Sequence, residues 1–327
     1  EGRLTIQAAV QYGVSNIDDS TAPKVLNAAQ WMELAKSAYK NAGLDMRTFP
    51  FQDNDMNRYS ATDTNWRDIY YGTGHNFNAN VSLKGGSQRT DYFLSGQYYK
   101  KKSTVKGNDQ QRFTLNSNLG FQLTKNLKVS VDLSASYNDN DLFALGREYY
   151  QLLPIYSPYN ADGTIRLYNK VVTGIDDNGN LIYSTQRFIT NSVAEREQNT
   201  NNQKAWFLKG NFKLKYDSFK VFSYTGQFSY DYQSTLEQIY NSQKNWTGMS
   251  KEGNPLGYSR RSSADYTNWA TIHRFNFNQV FGKHHIGGVL GFEAKSNASV
   301  TMYVTGQGFI NDKVQNVSYA NTRDGYN

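Results

Sequence analysis

The sequence contains no cysteine, which excludes a disulfide scaffold and any cysteine-based zinc or redox site. It also lacks an apolar run approaching the roughly 20 residues that a transmembrane helix needs. No signal peptide opens the chain, because the first residues lead directly into a strand pattern, so we expect the chain to begin within a larger architecture. The net charge of +7 is mild and spread along the chain, which does not indicate a nucleic-acid partner.

Hydrophobic residues are scarce, at 38 % of the chain, and the mean hydropathy is −0.72. Aromatic residues are abundant, with 25 Tyr, 18 Phe and 5 Trp. Disordered chains are poor in aromatics, so disorder is excluded. Low hydropathy with many aromatic rings is typical of a sheet that has one face in contact with water, as in a water-filled barrel.

Strand-like alternation of apolar and polar residues is the main pattern. In the clearest segment Leu127, Val129 and Val131 alternate with Lys128 and Ser130. Nine such segments lie near residues 4–13, 76–84, 90–100, 112–121, 127–138, 206–216, 222–232, 268–278 and 286–292. Strands of soluble domains peak near 5–6 residues, whereas tilted strands that cross a bilayer need about 9–11. The length therefore favours a membrane barrel.

The links between these segments alternate in length. Links near 14–74, 139–203 and 233–265 are long and the link near 103–110 is intermediate, whereas those at 85–89, 124–126, 217–218 and 282–284 are short. Antiparallel strands send every second link to the same side, and outer-membrane barrels have short periplasmic turns and long external loops. The fold class predicted is an antiparallel transmembrane β-barrel.

Aromatic residues lie near both ends of the predicted strands. Tyr12, Tyr98 and Tyr137 precede longer links, whereas Phe121 and Tyr216 lie near the opposite ends. Two rims of rings match the interfacial girdles of membrane barrels. The alternative is that tyrosine simply favours strands.

One helix is predicted in the first long link. Asn27 is a suitable N-cap, Gln30 completes a capping box, and Gly43 can end the helix. Trp31 and Leu34 begin an apolar stripe, so we expect the helix to pack on the barrel rim or on a partner.

Several segments carry a resemblance to a known family. They are 26–31 (LNAAQW), 64–68 (TNWRD), 76–87 (NFNANVSLKGGS), 91–95 (DYFLS) and 105–107 (VKG), and in this order they resemble the SusC/RagA-type TonB-linked outer-membrane transporters. The opening residues 1–6 look like the point where the plug of that family ends and its barrel begins. The match is most specific in the first 140 residues.

The resemblance implies a barrel of about 22 strands with an N-terminal plug. It also implies a TonB-contacting segment, a SusD-like surface lipoprotein as a lid, and import of an oligosaccharide or peptide across the bacterial outer membrane. Within that scheme, residues 1–327 are expected to form the N-terminal part of the barrel alone. The first strand spans 4–13, a helix-bearing external loop spans 14–74, and the remaining strands lie within 75–300. The plug and the C-terminal strands are expected to lie outside this chain.

No local motif predicts an enzyme, a cofactor or a metal site. His284 and His285 are adjacent in a strand turn, and adjacent strand residues point to opposite faces. The acidic segment 176–180 lacks the glutamate of a calcium-binding EF-hand and predicts a hairpin turn instead. No Ser-His-Asp or paired-carboxylate spacing is present.

Aromatic residues in the long loops are the candidate contacts for a substrate or a lid, because flat rings stack on sugars and peptide side chains. They are Tyr149, Tyr150, Tyr156, Tyr159, Tyr168, Tyr240 and Trp246. The structural alternative, which we favour, is that these rings pack the loops against the rim or the lid. A polar stripe predicted to face inward is expected to hydrate the lumen or meet the plug, and comprises Arg112, Lys128, Asp132, Lys209, Lys213 and Arg274.

Two other functions stay open from the sequence. One is a soluble or surface-anchored β-protein that binds glycans, which would need no detergent to stay in solution. The other is a passive porin-like channel, which a plug and a TonB-contacting segment would exclude. The first alternative differs from a membrane importer in whether the apolar strand faces meet lipid.

Overall fold

The computed structural model describes residues 3–18, 20, 22–143, 149–188, 191–218 and 221–326. Glu1 and Gly2, the start of the predicted plug-to-barrel junction, lie outside the described residues. Among the residues described, no helix is long and apolar enough to cross a membrane.

One antiparallel sheet of ten strands dominates the structure, and its strands neighbour one another in the order in which they occur in the chain. Its members are β1 (Thr5–Ser15), β2 (Gly74–Gly86), β3 (Thr90–Lys102), β4 (Asp109–Thr124), β5 (Leu127–Asp141), β8 (Thr200–Ser218), β9 (Phe222–Asn241), β10 (Tyr258–Phe281), β11 (His284–Gln307) and β12 (Thr322–Tyr326). A separate hairpin in the link after β5 consists of β6 (Tyr168–Ile175) and β7 (Leu181–Arg187).

All nine predicted strands are confirmed, but most are longer than predicted. The prediction of a link spanning 233–265 was wrong, because β9 and β10 continue to Asn241 and from Tyr258. The regular alternation of apolar and polar residues stops where the strands extend beyond the band of exposed apolar side chains, which we call the apolar belt. The hydrogen bonds between strands continue past this band, where most side chains are polar. The short strand β12 and the hairpin β6–β7 were not among the nine.

The alternation of short and long links is confirmed. Short links join β2 to β3, β4 to β5, β8 to β9 and β10 to β11. The links at the opposite end span 16–73, 103–108, 142–199, 242–257 and 308–321. These longer links fold together as a layer, which we call the loop layer.

Three helices lie in the loop layer: α1 (Ala28–Asn41), α2 (Trp66–Tyr70) and α3 (Ser192–Gln198). The predicted capping box of α1 is confirmed, because Asn27 accepts from the Gln30 amide at 2.9 Å and Gln30 accepts from the Asn27 amide at 3.2 Å. Gly43 follows the helix with a φ of +70°, a conformation that favours glycine. The predicted turn at 176–180 joins β6 to β7, where the Asp176 carboxylate accepts from the backbone amide of Asn180 at 2.7 Å.

The buried apolar core lies in the loop layer and not beneath the sheet. Of the buried hydrophobic residues that the structure describes, only Ala205 and Tyr240 belong to strands of the ten-stranded sheet. Apolar strand residues such as Val10, Leu115 and Leu133 are exposed, with no second layer of described residues against them. A soluble sandwich would bury this face against a second sheet. The exposed apolar face is therefore suited to an apolar solvent.

Candidate functional site

The outer face of the sheet, defined here as the face that carries the apolar strand residues, has an aromatic row near its loop end. Tyr98, Phe113, Tyr137 and Trp206 stand opposite one another on consecutive strands. The rings of Tyr98 and Phe113 are 4.8 Å apart, and those of Tyr137 and Trp206 are 4.7 Å apart. Cross-strand aromatic pairs stabilise a sheet, and here they also form a continuous belt.

A second aromatic row lies near the turn end of the same face, where Tyr216, Tyr224 and Phe275 are in register. Along β8, Trp206 and Tyr216 are ten residues apart. At about 3.3 Å per residue and a strand tilt near 40°, the two rows are separated by about 25 Å along the barrel axis. That is about the height of the apolar band of an outer-membrane barrel.

Polar groups on the outer face pair with one another. The Nδ1 atom of His273 lies 2.6 Å from the Tyr224 hydroxyl, and its Nε2 atom lies 3.0 Å from the Thr271 hydroxyl. Near the loop end, Tyr12 and His75 form a similar pair at 2.7 Å. Both ring nitrogens of His273 are therefore satisfied without water, as a lipid environment requires.

The inner face, opposite the outer face, carries a ladder of short polar side chains. Asp132 accepts hydrogen bonds from Asn118 at 2.9 Å and from Asn211 at 3.1 Å. Two residues further along the same pair of strands, Asn116 accepts from Ser134 at 2.8 Å. Such a surface is suited to water or to another polar protein surface.

The six residues of the predicted inward stripe share the inner face in the observed register. The Nζ atom of Lys128 lies 3.4 Å from an Asp91 carboxylate oxygen, and the Arg112 guanidinium lies 5.2 Å from the centre of the Tyr99 ring. Five of these six residues are basic, so the stripe carries net positive charge, which Asp132 and Asp91 offset only in part.

Two aromatic clusters hold the loop layer together. One contains Trp66, Tyr70, Tyr149, Leu152 and Phe188, and the other contains Ala28, Tyr59, Ile155 and Val171. The Trp66 indole donates to the Leu153 carbonyl at 3.0 Å. Burial raises the pKa of the Tyr59 phenol, whose hydroxyl donates to the Lys170 carbonyl at 2.9 Å. The loops therefore have a core of their own.

Four of the seven candidate aromatic residues support the loop layer. Tyr149 is only 8 % exposed, and Tyr240 is fully buried, with its hydroxyl donating to Asp312 at 2.9 Å. The Tyr156 ring packs 5.2 Å from that of Phe188. Burial, and then the hydrogen bond it donates to Glu197 at 3.0 Å, raise the pKa of Tyr159.

The other three candidates retain accessible surface. Tyr150 is 47 % exposed and Tyr168 is 37 % exposed. Tyr168 meets the half-buried Trp246 edge to face at 4.7 Å, and the Arg187 guanidinium stacks 4.7 Å from the Trp246 ring. The seven residues are therefore not brought together at one place, and a ligand contact by any of them stays a prediction.

A cleft of about 810 Å³ in the loop layer was not predicted from the sequence. Residues 22–27 and Trp31 line one side, and residues 149–154 with Trp66 line the other. The two sides are far apart in sequence, so no local motif could have located the cleft. Among the described residues, no group of three or more His, Asp or Glu side chains could hold a metal ion.

Comparisons with known proteins identify relatives among bacterial receptors. No protein-family model matches the chain. TonB-dependent receptor P3 of Formosa agariphila is 23 % identical over 274 residues, covering 80 % of this chain and 25 % of that protein. TonB-dependent receptor P26 of the same organism is 28 % identical over 214 residues, covering 63 % of this chain and 21 % of that protein.

Solved structures share the fold. The RagAB peptide transporter matches with a TM-score of 0.74 at 14 % identity, covering 99 % of this chain and 39 % of that chain. The closed-closed state of the RagAB peptide importer matches with a TM-score of 0.71 at 15 % identity, covering 99 % and 38 % of the two chains.

The resemblance to SusC/RagA-type TonB-linked transporters is confirmed. The chain spans about a quarter of the length of the TonB-dependent receptors that it matches. The fold of the RagA-like barrel explains why the apolar face is exposed and why the links alternate in length, since this sheet is one sector of a barrel wall.

Proposed function

We propose that the chain forms part of the wall and the loop layer of an outer-membrane importer that takes up a nutrient with energy from TonB. The observation that carries the proposal is the exposed apolar face bounded by two aromatic rows about 25 Å apart, as in an outer-membrane barrel. The relatives are named as receptors and transporters, which supports a role without catalysis.

The partners proposed are a SusD-like surface lipoprotein and the TonB complex. The preformed cleft and the exposed Val25 and Leu26 give the loop layer a surface suited to a lid. TonB would act through a region outside this chain. Outer-membrane lipid would cover the outer face, and no nucleic acid is involved.

The cargo proposed is a peptide or an oligosaccharide. The structurally similar RagAB protein is a peptide transporter, which favours a peptide. The exposed Tyr150 and Tyr168 and the half-buried Trp246 are the candidate rings that retain surface for contact with cargo or lid. The polar ladder of the inner face would then line the path or the plug.

The proposal is tested by deleting the full-length gene and measuring uptake of two probes, a fluorescent tryptic peptide digest and a fluorescent oligosaccharide mixture. We expect the deletion strain to lose uptake of one probe, and the complemented strain to regain it. A protonophore should abolish the recovered uptake, because TonB transmits the proton gradient.

Two outcomes would favour the other functions. Uptake that persists with the protonophore would indicate a passive channel. A full-length protein that stays monomeric in buffer without detergent would indicate a soluble glycan-binding module.

A further inference from the structure

A groove crosses the outer face between the two aromatic rows, on the side of the row at the loop end. Its volume is about 800 Å³, and it is lined by side chains of β2, β3, β4, β5, β8 and β9. Small residues form its floor, namely Gly96, Ala135 and Gly210, whereas Leu115 and Leu133 form parts of its sides. Apart from Ser117 and the Tyr230 hydroxyl, the lining side chains on this face are apolar, so the groove is suited to a hydrocarbon chain.

Two lysines lie on the same face of β3, above the aromatic row. Lys100 and Lys102 follow Tyr98 at intervals of two residues, so all three side chains point outward. Both lysines are exposed, and among the described residues neither has a carboxylate within ion-pair distance. Their cross-strand neighbours on β2 are Phe77 and His75.

The acidic groups of this rim lie mainly on other strands. Asp109 stands opposite Lys102, and it is the acidic residue nearest the two lysines in the register. Further along, Asp139 lies 4.0 Å from Lys204, so the positive charge of Lys204 is balanced by a carboxylate. Asp141 in turn stands opposite Asp109. Across β3, β4 and β5 the charges of this rim therefore do not add up to a positive excess, and the positive charge is confined to Lys100 and Lys102 on β3.

The spacing of the lysines and the groove matches one leaflet of a bilayer. Lys100 lies four residues from Gly96 along β3, which corresponds to about 13 Å along the strand and about 10 Å along the barrel axis at a tilt near 40°. Half of an apolar band about 25 Å high is a similar distance, about 12 Å. A lipid whose anionic head contacts Lys100 and Lys102 would reach the groove with its acyl chain.

We propose that the groove and the two lysines form a binding site for one anionic, phosphate-bearing lipid of the outer leaflet. The lysines contact the head group, and an acyl chain occupies the groove over Gly96 and Gly210. The occupant is a lipid and not a second copy of this chain, because the cationic pair and the groove are separated as a lipid head and tail are. The site depends on the lipid-facing sheet and not on the nature of the cargo.

The test uses the full-length protein, purified in mild detergent, and native mass spectrometry. The probes are dimyristoyl phosphatidylglycerol and dimyristoyl phosphatidylcholine, which share their acyl chains and differ in net charge. We expect retention of one phosphatidylglycerol molecule in preference to phosphatidylcholine. Inorganic phosphate should not displace it, because the groove supplies the binding to the tail.

Two double variants test the contacts with the lipid head group and those with the acyl chain separately. Lys100→Gln with Lys102→Gln should lower affinity for phosphatidylglycerol roughly fivefold per lysine, about 25-fold together, and remove the preference over phosphatidylcholine. Gly96→Leu with Gly210→Leu should lower retention of both lipids. A Cβ added at either glycine is 3.5 Å or more from its neighbours, so both positions accept a side chain.

The control is Lys209→Gln with Lys213→Gln, which removes the same charge from the inner face. Unchanged lipid retention in this variant, with normal heat-modifiable migration in all variants, would support the site. Equal retention of the two lipids by the unmodified protein, or equal losses in the control, would overturn it. So would groove-filling variants that convert an oligomer into monomers without changing lipid retention, because that result would place a second copy in the groove.

Discussion

At the scale of single residues, Asp312 joins the last described loop to the strand ends. Its carboxylate accepts hydrogen bonds from the Tyr240 hydroxyl at 2.9 Å, the Ser242 hydroxyl at 2.9 Å and the backbone amide of Gln243 at 3.0 Å. The Asp312 side chain thus holds the link 308–321 against the link 242–257. Several hydrogen bonds to one carboxylate explain why a single acidic residue can position two loops.

Replacing Asp312 by Ala should loosen the loop at 308–321 without unfolding the sheet. Three donors would lose a charged acceptor, and the local free energy of opening should fall by about 1–3 kcal/mol. Hydrogen exchange of amides in 308–321 measures this change. Asp177→Ala, in an exposed turn, is the matched control and should leave that exchange unchanged.

The second residue-scale prediction concerns Glu195 in α3. Burial raises the pKa of its carboxyl group. Folding therefore favours the protonated form, and the stability of this region should be highest below the ordinary pKa of glutamate, about 4.3, and fall as the pH rises through the raised value. Glu195→Gln should increase hydrogen-exchange protection of Ser192–Gln198 at pH 7 and have little effect at pH 4. The exposed Glu33→Gln is the control, and an equal gain there would contradict the assignment.

At the scale of elements, each strand has two faces that meet different solvents. Leu133 and Ser130 both belong to β5 but lie on the outer and inner faces, respectively. Leu133→Arg should cost about 2–4 kcal/mol of folding free energy in a bilayer, whereas Ser130→Arg should cost little. Urea titration of the full-length protein in lipid vesicles measures the difference. Equal costs at the two positions would contradict the lipid-facing assignment of the outer face.

The loop layer is a second element with its own stability. Trp66 is buried in an aromatic cluster, and its ring lies 6.0 Å from those of Tyr70 and Phe188. Trp66→Ala should destabilise the loop layer by about 3–5 kcal/mol through a cavity and a lost hydrogen bond. Hydrogen exchange should rise in α2 and β6 but not in β4 and β5. Trp206→Ala, at an exposed outer-face tryptophan, should leave the loop layer unchanged.

At the scale of the whole molecule, the sheet as described has two open edges. β1 pairs only with β2, and the stretch of β11 from His284 to Met302 pairs only with β10. Unpaired backbone groups are prohibitively costly in lipid. In the full-length protein we therefore expect additional strands along both edges.

This expectation has a direct test. Hydrogen exchange of the full-length protein in lipid should show protection of successive amides along β1, both those facing β2 and those facing away. Rapid exchange at every second amide would show that the edge is open, which would favour a soluble sheet over a barrel.

The sequence by itself determined nine of the strands, their two faces and the capped helix α1. Each depends on local periodicity or on a motif of a few residues, such as Asn27 with Gln30. Period-two alternation is visible because lipid and water impose opposite requirements on neighbouring residues. The strand ends beyond the apolar belt were missed because polar residues occur on both faces there and interrupt the alternation.

Only the tertiary structure decided how the loops pack and which aromatic residues stay accessible. Tyr149 and Tyr150 are adjacent in sequence, yet one is buried in a cluster and the other is 47 % exposed. The cleft between residues 22–27 and 149–154 and the groove across six strands likewise depend on contacts between distant segments. Such contacts leave no periodic trace in the chain, because burial in an irregular loop depends on which partners fold against it.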